Sequence, residues 1–504
     1  MVPIFDKVLI ANRGEIAVRV IRACREMGIR TVGIYSEADR GALHVRMADE
    51  AYGIGPSPAV ESYLAIPKII DVAMRAKATA VHPGYGFLSE NAAFAQACEY
   101  AGLIFIGPSP SSMALMGSKV EARRATSKFG VPIVPGTIDP ITDDKEAVKI
   151  AASIGYPIML KASAGGGGKG LRFVRNDTEL NGALRDARSE AKAAFGNDAV
   201  YVEKYVERPR HIEIQVLADR HGNAVYIGER ECSIQRRHQK VIEECPSPIM
   251  TPDLRARMGE AALNVVRAAQ YYNAGTVEFL VDQSRQFYFL EMNTRLQVEH
   301  PITELVTGLD LVKYQLRVAA GEKLDLRQDD IVMRGAAIEC RVYAEDPANN
   351  FLPSPGRITA FRPPSGPGIR HDTGVYQGWT VPNDYDPLIA KLATWDRTRG
   401  DSIDRMRRAL TEYQIAGIHT NISFFLELLD DPDFRQANFD TGFLDRWMQN
   451  RNADHRLSGV DRDIAVIAAA LFQTETTSEA PTAGAKPIES PWKVQGRRNA
   501  LRTS

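Results

Sequence analysis

Four runs between residues 211 and 293 alternate apolar with polar or small residues: HIEIQVLA (211–218), NAVYIGER (223–230), AGTVEFLVD (274–282) and QFYFLEMN (286–293). A period of two places successive side chains on opposite faces of a strand, so these runs predict an antiparallel sheet. The chain before them is built differently. From residue 7, KVLIAN leads into a helical pattern with Ile16, Val20, Cys24 and Met27 on one face, then Gly28 and the strand-like TVGIY. That is a βαβ opening, and it predicts a parallel, doubly wound sheet over residues 1–117. Further strands are expected at ATAVH (78–82) and LIFIG (103–107). The helix ENAAFAQACEYAG lies between them, with Ser89 as its cap and Gly102 as its stop. Residues 134–205 read as a small lobe centred on YPIMLKASAGGGGKGLRFVR, and residues 206 to about 330 as the antiparallel section. After MRGAAIECRVYAED, a Pro/Gly-rich β unit runs to about 395 and helices to about 450. A chain of 504 residues exceeds one core, and the class expected is α/β and α+β multidomain with no internal repeat.

Composition narrows the function. With 62 basic and 63 acidic residues well mixed, the chain lacks the basic stripe that nucleic-acid binding requires. No apolar run is long enough to span a bilayer, and MVPIFDKVLIANRG has no signal-peptide pattern, so no membrane association and a cytoplasmic location are expected. The five cysteines form no CxxC pair, which disfavours a disulfide framework or a zinc knuckle. The first turn, NRGE, has one glycine where a dinucleotide fingerprint needs three. Residues 473–490 read as a flexible linker, and SPWKVQGRRNALRTS (490–504) as a basic tail that either docks on a partner, with Trp492 as its anchor, or is disordered.

Three stretches carry chemistry. SAGGGGKG (163–170), flanked by Lys161 and containing Lys169, can bring backbone N–H groups close to phosphate oxygens, although its spacing is not that of a Walker loop. In EMNTRLQVEH (291–300), an extended conformation would put Glu291, Asn293, Arg295, Gln297 and Glu299 on one face. A half-exposed strand would show the same alternation. Glu278 lies in an apolar run, where a carboxylate is costly unless a cation compensates it. Glu278, Glu291 and Asn293 are oxygen ligands of the kind magnesium takes beside phosphates. The cluster Arg236, Arg237, His238 and Lys240 is either a solvated face or charge neutralisation for phosphoryl transfer. His211 and His82 alone read as structural or weak contacts.

Together, ANRGEIAVRV (11–20), HPGYGFLSEN (82–91), KASAGGGGKG (161–170), RRHQKVIEE (236–244) and EMNTRLQVEHPITE (291–304) resemble the biotin carboxylase family of ATP-grasp enzymes over about residues 5–450. The resemblance implies a doubly wound N-terminal domain (1–117), an ATP-grasp domain (118–333) with a mobile glycine-rich lid (134–205), and a β-rich C-terminal domain (334–450) ahead of linker and tail (451–504). It implies carboxylation of biotin by ATP and bicarbonate through carboxyphosphate. Lys119, Lys161, His211 and His238 would then bind ATP, Gly167 and Gly168 would cover its phosphates, and Glu203, Lys204, Tyr205 and Val206 would line the adenine pocket. Glu278, Glu291 and Asn293 would hold Mg2+ or Mn2+. Lys240, Arg295 and the backbone of Val298 would hold bicarbonate, Glu299 would deprotonate it, and Arg341 would stabilise the biotin oxygen.

Ala164 departs from a common lid glycine, and slightly altered lid flexibility is expected from it. The sequence contains no AMKM-like biotinylation site, so biotin is expected on a carrier protein, with a carboxyltransferase subunit selecting acetyl-CoA, propionyl-CoA, a branched acyl-CoA or pyruvate. The family implies a homodimer. The competing readings are another ATP-grasp ligase acting through an acyl phosphate, and an inactive scaffold subunit. HPGYGFLSEN and Arg341 argue against the first, and the full set of matched catalytic positions against the second.

Overall fold

The computed structural model describes residues 5–454 apart from 140, 142, 163–170 and 196–197, together with residue 467. Met1–Leu444 form one compact unit; of the second, Asp445–Ser504, only residues up to 454, in the helix Phe443–Asp454, and residue 467 are described.

The βαβ opening folds as its periodicity requires. Strands β1 (Lys7–Ile10), β2 (Arg30–Ser36), β3 (Glu50–Gly55), β4 (Ala80–His82) and β5 (Ile104–Phe105) form a parallel sheet in the order β3-β2-β1-β4-β5. Helix α1 (Gly14–Glu26) lays Ile16, Val20 and Cys24 against Val8 and Ile10, and Gly28 leaves it at φ +72°. Two details differ from the sequence reading. Strand β3 escapes the pattern, because EAYGIG is a half-exposed edge strand with no apolar run. The helix Ala92–Tyr100 is capped by Asn91, whose side chain accepts from Phe94 N at 2.9 Å, and Ser89 plays no part in the cap.

The turn after β4 is tied to the turn after β1. Asn12 Nδ2 donates to the carbonyls of Pro83 and Tyr85, both at 2.7 Å, around Gly84 at φ +64°. A Cβ on Gly84 would lie 2.9 Å from that nitrogen. Gly84→Ala is therefore expected to lose about 1–3 kcal/mol, combining backbone strain with overpacking, and to lower the thermal midpoint accordingly.

Residues around the glycine-rich run form a three-stranded antiparallel sheet, β6 (Ile158–Ala162), β7 (Leu171–Val174) and β8 (Val200–Lys204), in the order β7-β6-β8. The helices Asp144–Ile154 and Asp177–Phe195 close over it on Ile158, Leu160, Leu180, Leu184, Val200 and Val202. Ala164, Gly167, Gly168 and Trp492 lie outside the described residues.

The alternating runs become β9 (Arg210–Ala218), β10 (Ala224–Arg236), β12 (Asn273–Val281) and β13 (Phe287–Asn293), joined by β11 (Gln239–Cys245) and β14 (Ala336–Tyr343). With strands Leu388–Asp396 and Ile369–Thr373 they make one eight-stranded antiparallel sheet in the order β13-β12-β9-β10-β11-β14, then 388–396, then 369–373. The hydrogen-bond ladder therefore runs unbroken past residue 334 into the C-terminal β region. The apolar partners of the alternation, Ile212, Ile214, Val277 and Phe279, pack on Leu254, Met258, Ala262 and Val265 of the helix Pro252–Ala269. Each contributes about 1.5–3 kcal/mol of burial. The polar partners are left on the other face, where the site is built.

Candidate active site

Two β-bulges aim the functional side chains. In β12–β13, Glu278 pairs with Glu291 but Phe279 with Phe289, so Leu290 is the extra residue. In β10–β11, Ile234 pairs with Ile242 but Gln235 with Lys240, which makes Val241 the extra residue. A bulge re-aims neighbouring side chains. As a result Lys240 points into the acids of β9 and β12.

Lys240 Nζ donates to Glu213 Oε2 at 2.6 Å, Glu278 Oε1 at 2.8 Å and Glu299 Oε1 at 2.8 Å. All three ammonium hydrogens are spent on carboxylates. Burial alone would lower the lysine pKa, but the three charges hold it well above its ordinary value. Burial would likewise raise Glu278, yet Lys240 and His211 keep its carboxyl well below the usual range. His211 Nε2 lies at an ion-pair distance of 2.9 Å from Glu278 Oε2, and its Nδ1 is 2.9 Å from Gln235 Nε2. Beneath this cage Arg230, fully buried, donates to Glu213, to Gln215 Oε1 at 2.7 Å and to Thr303 Oγ1 at 2.9 Å.

The segment after Asn293 is not extended, so the one-face arrangement that an extended 291–300 would give does not form: β13 ends at Asn293 and an irregular stretch leads into the helix His300–Thr307. Arg295 is held at three corners, by Glu90 Oε2 at 3.0 Å, Gln297 Oε1 at 2.7 Å and Asn293 Oδ1 at 3.2 Å. Glu299 occupies the N-cap position but makes no cap hydrogen bond with its side chain. Its carboxylate instead reaches Lys240 and, through Oε2, Arg341 Nη2 at 2.9 Å. Arg341 Nε donates in turn to Glu243 Oε1 at 2.6 Å. Burial would raise Glu299, but Lys240, Arg341 and Arg230 outweigh it and hold the group well below its ordinary value. The carbonyl of Val298 accepts from the buried Lys391 at 2.9 Å, and Lys391 lies 3.1 Å from Glu15 of α1.

Two hollows flank this network. A cleft of about 500 Å³ is lined by Tyr85, Gly86, Arg295, Val298, Arg341 and Tyr343. A smaller one of about 200 Å³ is lined by Glu90, Lys119, Glu291 and Asn293. Glu291 faces Glu278 directly, and its carboxyl is pushed up by burial and then by the Glu278 charge, with Lys119 among the partial offsets. Two carboxylates in mutual repulsion suit a hard divalent cation, which would relieve that repulsion; Asn293 turns its Nδ2 to Glu278 Oε1 at 2.8 Å and its oxygen to Arg295, so its amide would have to rotate to serve as a ligand. His211, Glu213 and Glu278 also bring ligand atoms within 4.8 Å of one another, but Glu213 is already engaged by Lys240 and Arg230.

The remaining sequence-selected residues fall into three groups. Glu203, on β8, is held by Lys161 and Arg123, which outweigh burial and keep its carboxyl low. Lys204 donates to the carbonyls of Gly155 at 3.0 Å and Tyr156 at 2.8 Å, so its ammonium braces the lobe; Val206 follows the strand, and Tyr205 meets Phe173 edge-on at 4.6 Å. The basic cluster does not act as one body. Arg236 is taken up by a bidentate pair with Glu345, 2.8 Å at each arm, and sits over the Phe351 ring. Arg237 and His238 form an exposed two-residue turn at φ 51° and 66°. His82 is structural: it is buried, its Nδ1 accepts from Gly84 N at 3.0 Å, and burial pushes it down to about 4.

Sequence reasoning missed Glu213, Arg230, Glu90, Glu243 and Lys391. Glu213 shares its face with His211 by period two, and that was an available signal. The other four acquire meaning only from partners distant in sequence.

Three family models match: the biotin carboxylase N-terminal domain at residues 4–113, the ATP binding domain of the carbamoyl-phosphate synthase L chain at 118–327, and the biotin carboxylase C-terminal domain at 339–446. The chain is 53% identical over 440 residues to the biotin carboxylase of Nostoc sp., covering 87% of this chain and 98% of that one. It is 52% identical over 460 residues to the propionyl-CoA carboxylase alpha chain of Ruegeria pomeroyi, covering 87% of this chain and 68% of that one. Its structure matches the biotin carboxylase domain dimer of the Hydrogenobacter thermophilus 2-oxoglutarate carboxylase, solved with MgADP, ADP and bicarbonate. The TM-score is 0.80 at 49% identity, over 88% of this chain and 97% of that one.

Proposed function

The chain belongs to the biotin carboxylase family of ATP-grasp ligases, and on that premise we propose how its residues divide the work. The reaction is ATP-dependent carboxylation of biotin with bicarbonate, through carboxyphosphate. The observation that carries the residue assignment is the placement of Glu299 between Lys240 and Arg341, the latter lining the 500 Å³ cleft.

Lys119, Lys161, His211, His238 and the segment Glu203–Val206 bind ATP, with Gly167 and Gly168 over its phosphates. Glu278, Glu291 and Asn293 hold Mg2+ or Mn2+, which supplies charge neutralisation for the transferring phosphoryl group. Bicarbonate takes up Arg295, Lys240 and the backbone N–H of Val298. Because every Lys240 hydrogen already has a carboxylate, bicarbonate displaces one of those contacts as it enters. Glu299 accepts the bicarbonate proton, and the freed oxygen attacks the γ-phosphorus as ADP departs. Biotin enters the cleft, and carboxyphosphate breaks its carbon–oxygen bond to give carbon dioxide and phosphate. The released phosphate takes the N1 proton, N1 bonds to the carbon of carbon dioxide, and the Arg341 guanidinium stabilises the charge that develops on the ureido oxygen meanwhile.

Biotin arrives on a separate carrier protein, and the protein works as a homodimer in a larger complex with a carboxyltransferase subunit. Among the described residues no helix is long and apolar enough to cross a membrane, and the proposed location is the cytoplasm. The test is ADP release by the purified protein with magnesium, with and without bicarbonate and free biotin. Bicarbonate-dependent release stimulated by biotin is expected, with loss on chelation and recovery on adding magnesium. ATP cleavage indifferent to biotin would indicate another acyl-phosphate ligase, and no cleavage an inactive scaffold.

A further inference from the structure

Beneath the bicarbonate end of the site lie two acids that the mechanism above does not use. Glu243 on β11 and Glu339 on β14 are direct cross-strand partners in an antiparallel ladder, so their side chains leave the same face side by side. Both are fully buried. The helix His300–Thr307 covers them, with Ile302 and Val306 packed on Ala337, Ala393 and Cys245 of that face. Only one of their four carboxylate oxygens receives a hydrogen bond, Glu243 Oε1 from Arg341; Glu243 Oε2 and both oxygens of Glu339 have none among the described residues. Two buried carboxylates so placed cannot both stay ionised.

We propose that Glu243 and Glu339 share one proton and together act as a positioning pair for Arg341, keeping the negative charge beneath the bicarbonate end at one instead of two. This rests on the assignment of Arg341 and Glu299 above. Arg341 is the link, since one guanidinium joins Glu243 through Nε to Glu299 through Nη2. The surrounding charges agree. Burial pushes Glu243 up, with Arg341 and Lys240 opposing and Glu299 adding, and the hydrogen bond from Arg341 makes Glu243 the member of the pair that carries the charge. Burial also pushes Glu339 well above the carboxylate range; Lys391 and Arg341 oppose this, while Glu243 and Glu299 add to it. His300 on the covering helix is held neutral by burial and by Lys391, Arg19 and Arg370, and the Cys232 thiol is held protonated by burial.

The sign follows from the charge. As pH rises far enough for the shared proton to leave, the pair gains a second negative charge, and binding of the bicarbonate anion weakens. Glu339→Gln fixes the pair at one charge. The experiment measures the KM for bicarbonate ion in ADP release from pH 6 to 9 for wild type, Glu339→Gln and Glu339→Asp, with infrared spectra of each protein alone. The wild type is expected to show a protonated-carboxyl band that fades with rising pH, and a KM that rises about tenfold over the same range. Glu339→Gln is expected to lose both the band and the rise, keeping the low-pH KM with kcat within about threefold, while Glu339→Asp keeps both.

A wild type without that band overturns the shared proton, and this result needs no variant to fold. A KM rise that persists in Glu339→Gln overturns the link to bicarbonate. If the wild type releases no ADP in response to bicarbonate, the functional reading itself fails and takes that link with it, whatever the band shows.

Discussion

Glu299→Gln is expected to lower bicarbonate-dependent ADP release by about 10²–10⁴-fold, the usual contribution of a positioned general base, while leaving the protein folded and able to bind ATP. The fold survives because Lys240 keeps Glu213 and Glu278, and Arg341 keeps Glu243. The amide still fills the space and can still accept a hydrogen bond, but it cannot take a proton. Bicarbonate then remains a poor nucleophile. Steady-state ADP release at saturating bicarbonate, beside a nucleotide-binding measurement, separates the two effects; near wild-type turnover in the Glu299→Gln variant would remove Glu299 from its role.

Lys240→Met is expected to do more damage, because it acts on stability and on turnover together. One ammonium neutralises parts of three buried carboxylates, and its removal leaves charge with no compensation. Breaking such a pair typically costs about 3–5 kcal/mol. The loss has a pH signature. Glu278 and Glu299 have depressed pKa values in the folded protein, so each contributes stability that is present above its unfolded pKa and lost as pH falls through the folded one. Without Lys240 those depressions shrink, so the deficit relative to wild type should hold from neutrality down to the unfolded glutamate value of about 4.3 and narrow below it, as the wild type's two carboxylates protonate. Denaturant unfolding of both proteins across that range checks it. A deficit that does not change with pH would mean the methionine acts through packing alone.

The fold was legible wherever periodicity governs it. Helix α1 and the alternating strands follow from local pattern, since each exchanges apolar residues between faces at its own period. Strand β3 was not legible, being an edge that buries little. The site was legible in its residue types and, through the family resemblance, in the roles now proposed for them. Its geometry was not. The extra residues Leu290 and Val241 shift the register without any mark in the sequence, and an extended reading of 290–299 therefore puts Arg295, Gln297 and Glu299 on a strand that ends at Asn293. Arg236 looks like a phosphate ligand by its neighbours in sequence, and only its ion pair with Glu345, 109 positions on, shows that it is a strut. The same limit applies to Glu243 and Glu339, which become a pair only when β11 meets β14.

The central claim is that an oxygen of bicarbonate attacks the γ-phosphorus of ATP beside Glu299 and Lys240. Oxygen-18-labelled bicarbonate tests it most directly. The attacking oxygen becomes the bridge of carboxyphosphate, and breaking the carbon–oxygen bond leaves it on phosphate. Turnover with magnesium, ATP and biotin should therefore give inorganic phosphate carrying one labelled oxygen. Unlabelled phosphate released at the same rate as ADP would show that water attacks instead, and would contradict the account.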